Sequence, residues 1–228
     1  MAKLKVKKVK DLELANELLT AYVLNNLRIM KAKNPGDTYY EEYLKHTARE
    51  EAKFFDQYCL AIGQVLHAQP KRILEIGVRT GTCISNMLSA YRDLSVIERI
   101  VLIDIWNDGF ASPEIVKLNM RALNVFQDVI GKVEFITGDS KVEVPKLEGL
   151  FDYILVDGDH EKSAALNDLQ NVVRLVAPKG IIVFDDISPF GCNLLDVWEQ
   201  FKELNKDNGF NFGEDLAGKG TAWAYKNE

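Results

Sequence analysis

From residue 72 onward the sequence alternates between short β-branched runs and helical patterns, and this alternation restricts the fold more than any other feature. The runs predict strands at 72–76, 99–104, 132–137, 151–157, 180–185, 209–213 and 221–226. Helical patterns lie between them, at 81–92, 113–130, 161–176 and 192–207. Such alternation favours right-handed crossovers and a parallel sheet with helices on both faces. We therefore predict a doubly wound α/β fold.

The two ends of the chain add to this fold. The segment around Gly218-Lys-Gly220 separates the last two strands by a hairpin-like distance, so we expect one reversed strand at an edge of the sheet. Two apolar helical patterns, at 11–33 and 38–68, precede the first strand. We predict an N-terminal helical extension over residues 1–69, able to cover a site as a lid, and a main domain over residues 70–228.

Composition narrows the functional class. The net charge of −6 argues against a nucleic-acid partner, whose binding depends on phosphate neutralisation, and no apolar stretch is long enough to span a bilayer. Three scattered cysteines without ligand-like spacing suggest a reducing, cytoplasmic setting. We expect an enzyme that acts on a small molecule. Assembly with a second copy, through the apolar faces of the first two helices, stays open.

Two of the apolar runs end abruptly in acids. Asp157, Asp159 and His160 follow the fourth strand, and Asp185 and Asp186 follow the fifth. The carboxyl ends of parallel strands meet at one edge of the sheet, where ligands bind. Several carboxylates cannot share a small site in ionised form without a positive charge among them. We expect this charge to be a metal ion, and a lysine or arginine in its place would contradict that expectation.

Simpler interpretations of the same residues stay open. Asp157 and Asp159 are also typical of a tight turn, and Asp185 with Asp186 of a solvated loop. His160 would then cap the following helix or lie in solvent.

A glycine loop follows the first strand, in Glu75-Ile-Gly-Val-Arg-Thr-Gly81. Gly77 and Gly81 permit a sharp turn and a close approach of the backbone to a ligand. The second strand ends in Asp104, the usual position of an acid that holds ribose hydroxyls, and Asp139 follows the third. The loop alone is a weak signal, but this order of loop and acids is a stronger indication of a cofactor site.

With these motifs the chain resembles class I S-adenosylmethionine-dependent methyltransferases from about residue 70 to its end. The resemblance implies a seven-stranded sheet with a reversed final hairpin. It also implies a set of cofactor contacts, in which Gly77 and Gly81 border the methionine part, Asp104 binds the ribose, Asp139 with Ser140 lies near the adenine, and Glu75 orients the methionine amino group indirectly.

The acids after the fourth and fifth strands look like those of metal-dependent small-molecule O-methyltransferases, above all enzymes that act on sugar hydroxyls of macrolide-type antibiotics. This resemblance implies Asp157, Asp185 and Asp186 as ligands of Mg²⁺ or another divalent cation, since oxygen ligands suit a hard ion. It also implies His160 as the base, because an ordinary imidazole accepts a proton at neutral pH. Asp159 is the competing base.

The resemblance therefore predicts metal-assisted methyl transfer from S-adenosylmethionine to a hydroxyl of a small molecule, with sugars and glycosylated metabolites as candidate acceptors. Relatives that act on catechols carry asparagine as the third ligand and lysine as the base, so Asp186 and His160 depart from their pattern. Three alternatives stay open: a non-methylating cofactor-binding protein, a cephalosporin hydroxylase-like protein and a metal-independent methyltransferase.

Overall fold

The computed structural model describes residues 9–36, 56–107, 109 and 111–228, with side chains from residue 18 onward. Within these residues seven strands form one mixed sheet, in the order β3-β2-β1-β4-β5-β7-β6. The strands are β1 (Arg72–Ile76), β2 (Arg99–Asp104), β3 (Val133–Thr137), β4 (Phe151–Val156), β5 (Val176–Phe184), β6 (Phe210–Asp215) and β7 (Thr221–Lys226). The predicted doubly wound sheet is confirmed.

The strand order places a crevice at the middle of the sheet. β1 pairs in parallel with β2 on one side and with β4 on the other, so the chain changes side between β3 and β4. Ligands of open α/β sheets bind at such a switch point, beyond the carboxyl ends of the strands. β7 runs antiparallel to both β5 and β6, which is the predicted reversed hairpin. The reversed strand was expected at an edge of the sheet, but β7 lies between β5 and β6, and β6 forms the edge.

Helices cover both faces of this sheet. They are α1 (Val9–Lys33), α2 (Gln57–His67), α3 (Thr82–Ser89), α4 (Pro113–Ala122), α5 (Phe126–Val129), α6 (Ser140–Glu143), α7 (Lys162–Val172) and α8 (Leu195–Asn205). None of these described helices combines the length and apolar character that a membrane crossing requires.

Side chains at alternate strand positions pack in two separate hydrophobic cores, because successive side chains of a strand point to opposite faces of the sheet. Ile73 of β1 packs in one core with α1, α2 and α3, and Leu74 packs in the other with α7 and α8. The described parts of the predicted extension therefore share a core with the sheet. Whether the chain divides at residue 69 stays a prediction.

Several predicted boundaries differ from the structure by a few residues, and three of these differences are informative. Within the range predicted as a helix at 38–68, α2 begins at Gln57, because Asp56 is extended and its carboxylate accepts the N–H of Cys59. The part of that prediction over residues 37–55 lies outside the described residues. The predicted helix at 113–130 breaks at Asn124, whose φ is +59°. β5 begins four residues before the predicted position, at Val176 instead of residue 180.

Candidate active site

The glycine loop after β1 lies against the backbone that follows β4. Gly77 has a φ of +81°, and a Cβ built on it would lie 1.8 Å from the carbonyl oxygen of Asp157. Gly81 (φ +70°) begins α3, and its Cβ would lie 2.5 Å from the Val116 side chain. Both glycines are therefore required by contacts within the protein. The loop and the end of β4 form one continuous wall.

A cleft of about 600 Å³ opens above this wall. The predicted site residues that line it are Gly77, Asp104, Asp139, Ser140, Asp157, Asp159, His160 and Asp186. The other three, Glu75, Gly81 and Asp185, lie outside the lining. Glu75 is only 3% exposed, and burial, with Asp157 and Asp104 nearby, raises the pKa of its carboxyl well above the ordinary value.

The predicted ribose acid is held by backbone groups. Asp104 accepts the N–H of Arg79 and of Trp106, each at 2.7 Å, so its carboxylate joins the glycine loop to the end of β2. This arrangement fixes the carboxylate at the cleft wall, with lone pairs left for a ligand hydroxyl.

At the predicted adenine end, Asp139 accepts the N–H of Lys141 and caps α6. The Ser140 hydroxyl donates to Asp168 at 2.8 Å. Asp168, on α7, is fully buried, and burial raises the pKa of its carboxyl to about 6. The serine hydroxyl is therefore engaged with this buried acid.

The tips of β4 and β5 converge as predicted. Asp157, Asp185 and Asp186 each offer a carboxylate oxygen, and these three atoms lie within 4.8 Å of one another. We call these three residues the acid cluster. Asp185 and Asp186 are 3% and 2% exposed, so the cluster is largely shielded from solvent.

Two cationic side chains contact one member of the acid cluster. The Asp186 carboxylate lies 3.2 Å from His160 Nε2 and 3.1 Å from Lys219 Nζ. Hydrogen bonds to Asp157 and Asp186 raise the pKa of His160 to about 10, so the ring is protonated at neutral pH in this arrangement. Lys219 and His160 therefore supply positive charge to Asp186, and its predicted role as a metal ligand stays a prediction.

Asp185 has a different environment, because the hydrogen bonds to its carboxylate come from uncharged side chains. Gln57 Nε2 donates to it at 2.8 Å and Thr221 Oγ1 at 2.9 Å, and no described residue forms an ion pair with it. Burial and then the neighbouring Asp157 and Asp186 raise the pKa of its carboxyl well above the ordinary value. A buried set of oxygen donors, in which one acid forms no ion pair with a described residue, is chemically suited to a hard divalent cation.

Asp159 lies apart from the acid cluster. It accepts the N–H of Glu161 at 2.9 Å and pairs with Lys141 at 3.4 Å. Asp159 is therefore a solvent-exposed residue that lines the cleft without contacting the acid cluster.

Sequence reasoning missed four residues whose side chains contact the acid cluster, namely Gln57, Cys192, Lys219 and Thr221. Lys219 and Thr221 flank Gly220, a segment whose composition indicates only a turn. Gln57 begins a helix some 100 residues before Asp157. No local pattern marks any of them as part of a site.

Residues 74–187 match a family described as a methyltransferase domain. The match spans half of the chain, so the protein belongs to this family. The predicted resemblance to class I S-adenosylmethionine-dependent methyltransferases is thereby confirmed.

One curated relative, "Probable caffeoyl-CoA O-methyltransferase 3" of Dictyostelium discoideum, is 29% identical over 147 residues, covering 62% of this chain and 53% of the relative. The chain thus spans about half the length of that relative. An O-methyltransferase from Bacillus cereus in complex with SAH is similar with a TM-score of 0.59 at 20% identity, covering 93% of this chain and 100% of that one. TomG of Streptomyces achromogenes, an O-methyltransferase solved with SAM, gives 0.58 at 19% identity, covering 87% and 99%. These likenesses concern the fold.

Proposed function

From the family and the geometry of the cleft, we propose that the protein transfers the methyl group of S-adenosylmethionine to a hydroxyl of a small molecule, with a divalent cation in the acid cluster. The environment of Asp185 is the observation that supports the cation. Asp185 is buried beside two other acids, and its side-chain hydrogen bonds from described residues come only from uncharged donors. The three relatives described above are named as O-methyltransferases, which supports oxygen as the acceptor atom.

The lining of the cleft supports the predicted order of cofactor contacts. Asp104 would hold the ribose hydroxyls, Asp139 would lie near the adenine, and Gly77 would border the methionine part. A sulfonium is cationic, so the acids elsewhere in the cleft lining, such as Asp104 and Asp139, favour its binding. The methyl group would then lie beside the carboxyl ends of β1 and β4.

Asp157, Asp185 and Asp186 would hold the cation. When bound, such an ion lowers the pKa of an acceptor hydroxyl and fixes its direction, an effect worth several kcal/mol. The proton then needs an acceptor. We assign this role to His160, which lines the cleft and contacts both Asp157 and Asp186. Asp159, on the same loop, is the competing group.

His160 acts as a base only when it is neutral, and its present contacts with Asp157 and Asp186 hold it protonated. Engagement of these carboxylates elsewhere would lower the pKa of His160 toward its ordinary value. General-base help of this kind contributes roughly 10²- to 10⁴-fold to a rate.

The test is methyl transfer from labelled S-adenosylmethionine to a panel of sugar, glycoside and catechol hydroxyls, with Mg²⁺ or with a chelator. We expect turnover with Mg²⁺, its loss on chelation, and its return when Mg²⁺ is added back. Asp157→Ala should lose turnover while calorimetry shows S-adenosylmethionine binding largely intact. Binding of NADH in preference to S-adenosylmethionine would overturn the proposal as a whole.

A metal-independent methyltransferase is the second candidate, and the contact of Lys219 with Asp186 favours it. In that enzyme the lysine ammonium takes the place of the cation. Lys219→Met separates the two candidates, because it would abolish a chelator-resistant activity but would leave or strengthen Mg²⁺ binding in the metal-assisted enzyme.

A further inference from the structure

Gln57 reaches the acid cluster from outside the sheet. It is the first residue of α2, and the cap formed by Asp56 fixes where that helix begins. The Gln57 side chain is buried at 5% exposure, and its Nε2 donates both to Asp157, at 3.0 Å, and to Asp185, at 2.8 Å. The amide therefore bridges the tips of β4 and β5.

The other end of the same amide is unusual. Gln57 Oε1 is buried and has no hydrogen-bond partner within the described part of the chain. Buried polar oxygens are rarely left in this state. A 180° turn of the amide about its last torsion exchanges the two ends, and would direct Oε1 instead of Nε2 at the same carboxylates. A carbonyl oxygen facing carboxylates is repelled unless a cation lies between them.

We propose that Gln57 is a fourth protein ligand, contributing Oε1 to a divalent cation held by Asp157, Asp185 and Asp186. This inference rests on the cation of the proposed function. Amide oxygens are ordinary ligands of hard divalent cations, and a neutral fourth oxygen adds coordination without adding another negative charge to a buried site. Without the cation, the same side chain holds the acids together through its NH₂ group.

The test is binding of Mn²⁺, a stand-in for Mg²⁺ that is visible by electron paramagnetic resonance, to the full chain without S-adenosylmethionine or acceptor. Gln57→Met removes the oxygen at nearly constant volume. We expect Mn²⁺ affinity to fall roughly tenfold or more, as for other groups that hold a metal site. Gln57→Glu keeps an oxygen at the position and should bind at least as tightly as the unsubstituted protein.

Gln64→Met is the matched control. Gln64 lies on the same helix and accepts the hydroxyl of Tyr225, away from the acid cluster, so its replacement should leave Mn²⁺ affinity unchanged. If Gln57→Met does not fold, as judged by circular dichroism, Gln57→Leu provides the same comparison.

The competing role predicts the opposite sign. If the amide only bridges the acids and is displaced by the ion, Gln57→Met removes a competitor, and Mn²⁺ affinity should rise or stay constant; either result would overturn the assignment. Failure of the unsubstituted protein to bind Mn²⁺ would instead refute the metal-assisted function, and the ligand role of Gln57 with it.

Discussion

Replacing Gly77 with alanine would force apart the two sides of the crevice. The new Cβ would lie 1.8 Å from the carbonyl oxygen of Asp157 and 2.6 Å from Cα of Gly158, both backbone atoms that cannot rotate away. The left-handed φ of +81° adds strain of about 1–2 kcal/mol for any residue with a Cβ. Overpacking against a rigid neighbour costs about 3 kcal/mol. We therefore expect a total of roughly 4–5 kcal/mol.

For a chain of this length, such a loss lowers the melting temperature by roughly 8–20 °C, at about 2–4 °C per kcal/mol. Thermal unfolding followed by circular dichroism measures it. Gly209→Ala is the matched control, because Gly209 has a similar φ of +69° and nothing within 4 Å of a new Cβ. That variant should lose only about 1–2 kcal/mol. Equal losses in the two variants would refute the close approach of the glycine loop to the end of β4.

Asparagine substitutions at the neighbouring acids Asp185 and Asp186 should shift the melting temperature in opposite directions when it is measured in the presence of a chelator. Asp185→Asn removes a buried acid that forms no ion pair with a described residue and should raise the melting temperature at neutral pH, whereas Asp186→Asn breaks the contacts with His160 and Lys219 and should lower it; equal shifts would contradict these charge assignments. Asp168 gives a pH-dependent prediction. The rise of its pKa from 3.8 to about 6 means that ionisation costs the folded protein stability, by up to about 3 kcal/mol, as the pH rises through that window. Asp168→Asn should therefore stabilise the protein at pH 7 by thermal unfolding, and the difference should vanish below pH 4; a constant difference would show that hydrogen bonding, not ionisation, is responsible.

The elements of the sheet were predictable because each strand is a buried, β-branched run, and the strand–helix alternation dictates parallel pairing. The convergence of Asp157 with Asp185 followed from the same reasoning, since neighbouring parallel strands end at one edge. The first and last residues of the helices and strands were harder to predict. The sequence Ala177-Pro-Lys-Gly180 favours a turn, yet β5 begins at Val176 and pairs with Phe151 through a register shift.

The partners of the acid cluster could not be predicted, because they depend on long-range packing. Gln57 follows a helix cap that a continuous apolar pattern conceals, and Lys219 lies in a turn between two strands. Sequence shows which residues carry charge, but only the folded chain shows that Asp186 receives the cations and Asp185 receives neutral donors.

The reversal of the last strand determines where its preceding turn lies. Because β7 runs against β5, with Phe184 opposite Ala222, the start of β7 rather than its end lies at the carboxyl edge of the parallel strands. That geometry places Lys219 and Thr221 next to the acid cluster. If β7 were parallel to β5, the same turn would lie at the opposite edge of the sheet. The electrostatics of the reaction centre can therefore be retuned by substitutions in a half-exposed hairpin turn, with the hydrogen-bonded ladder between β5 and β7 left intact.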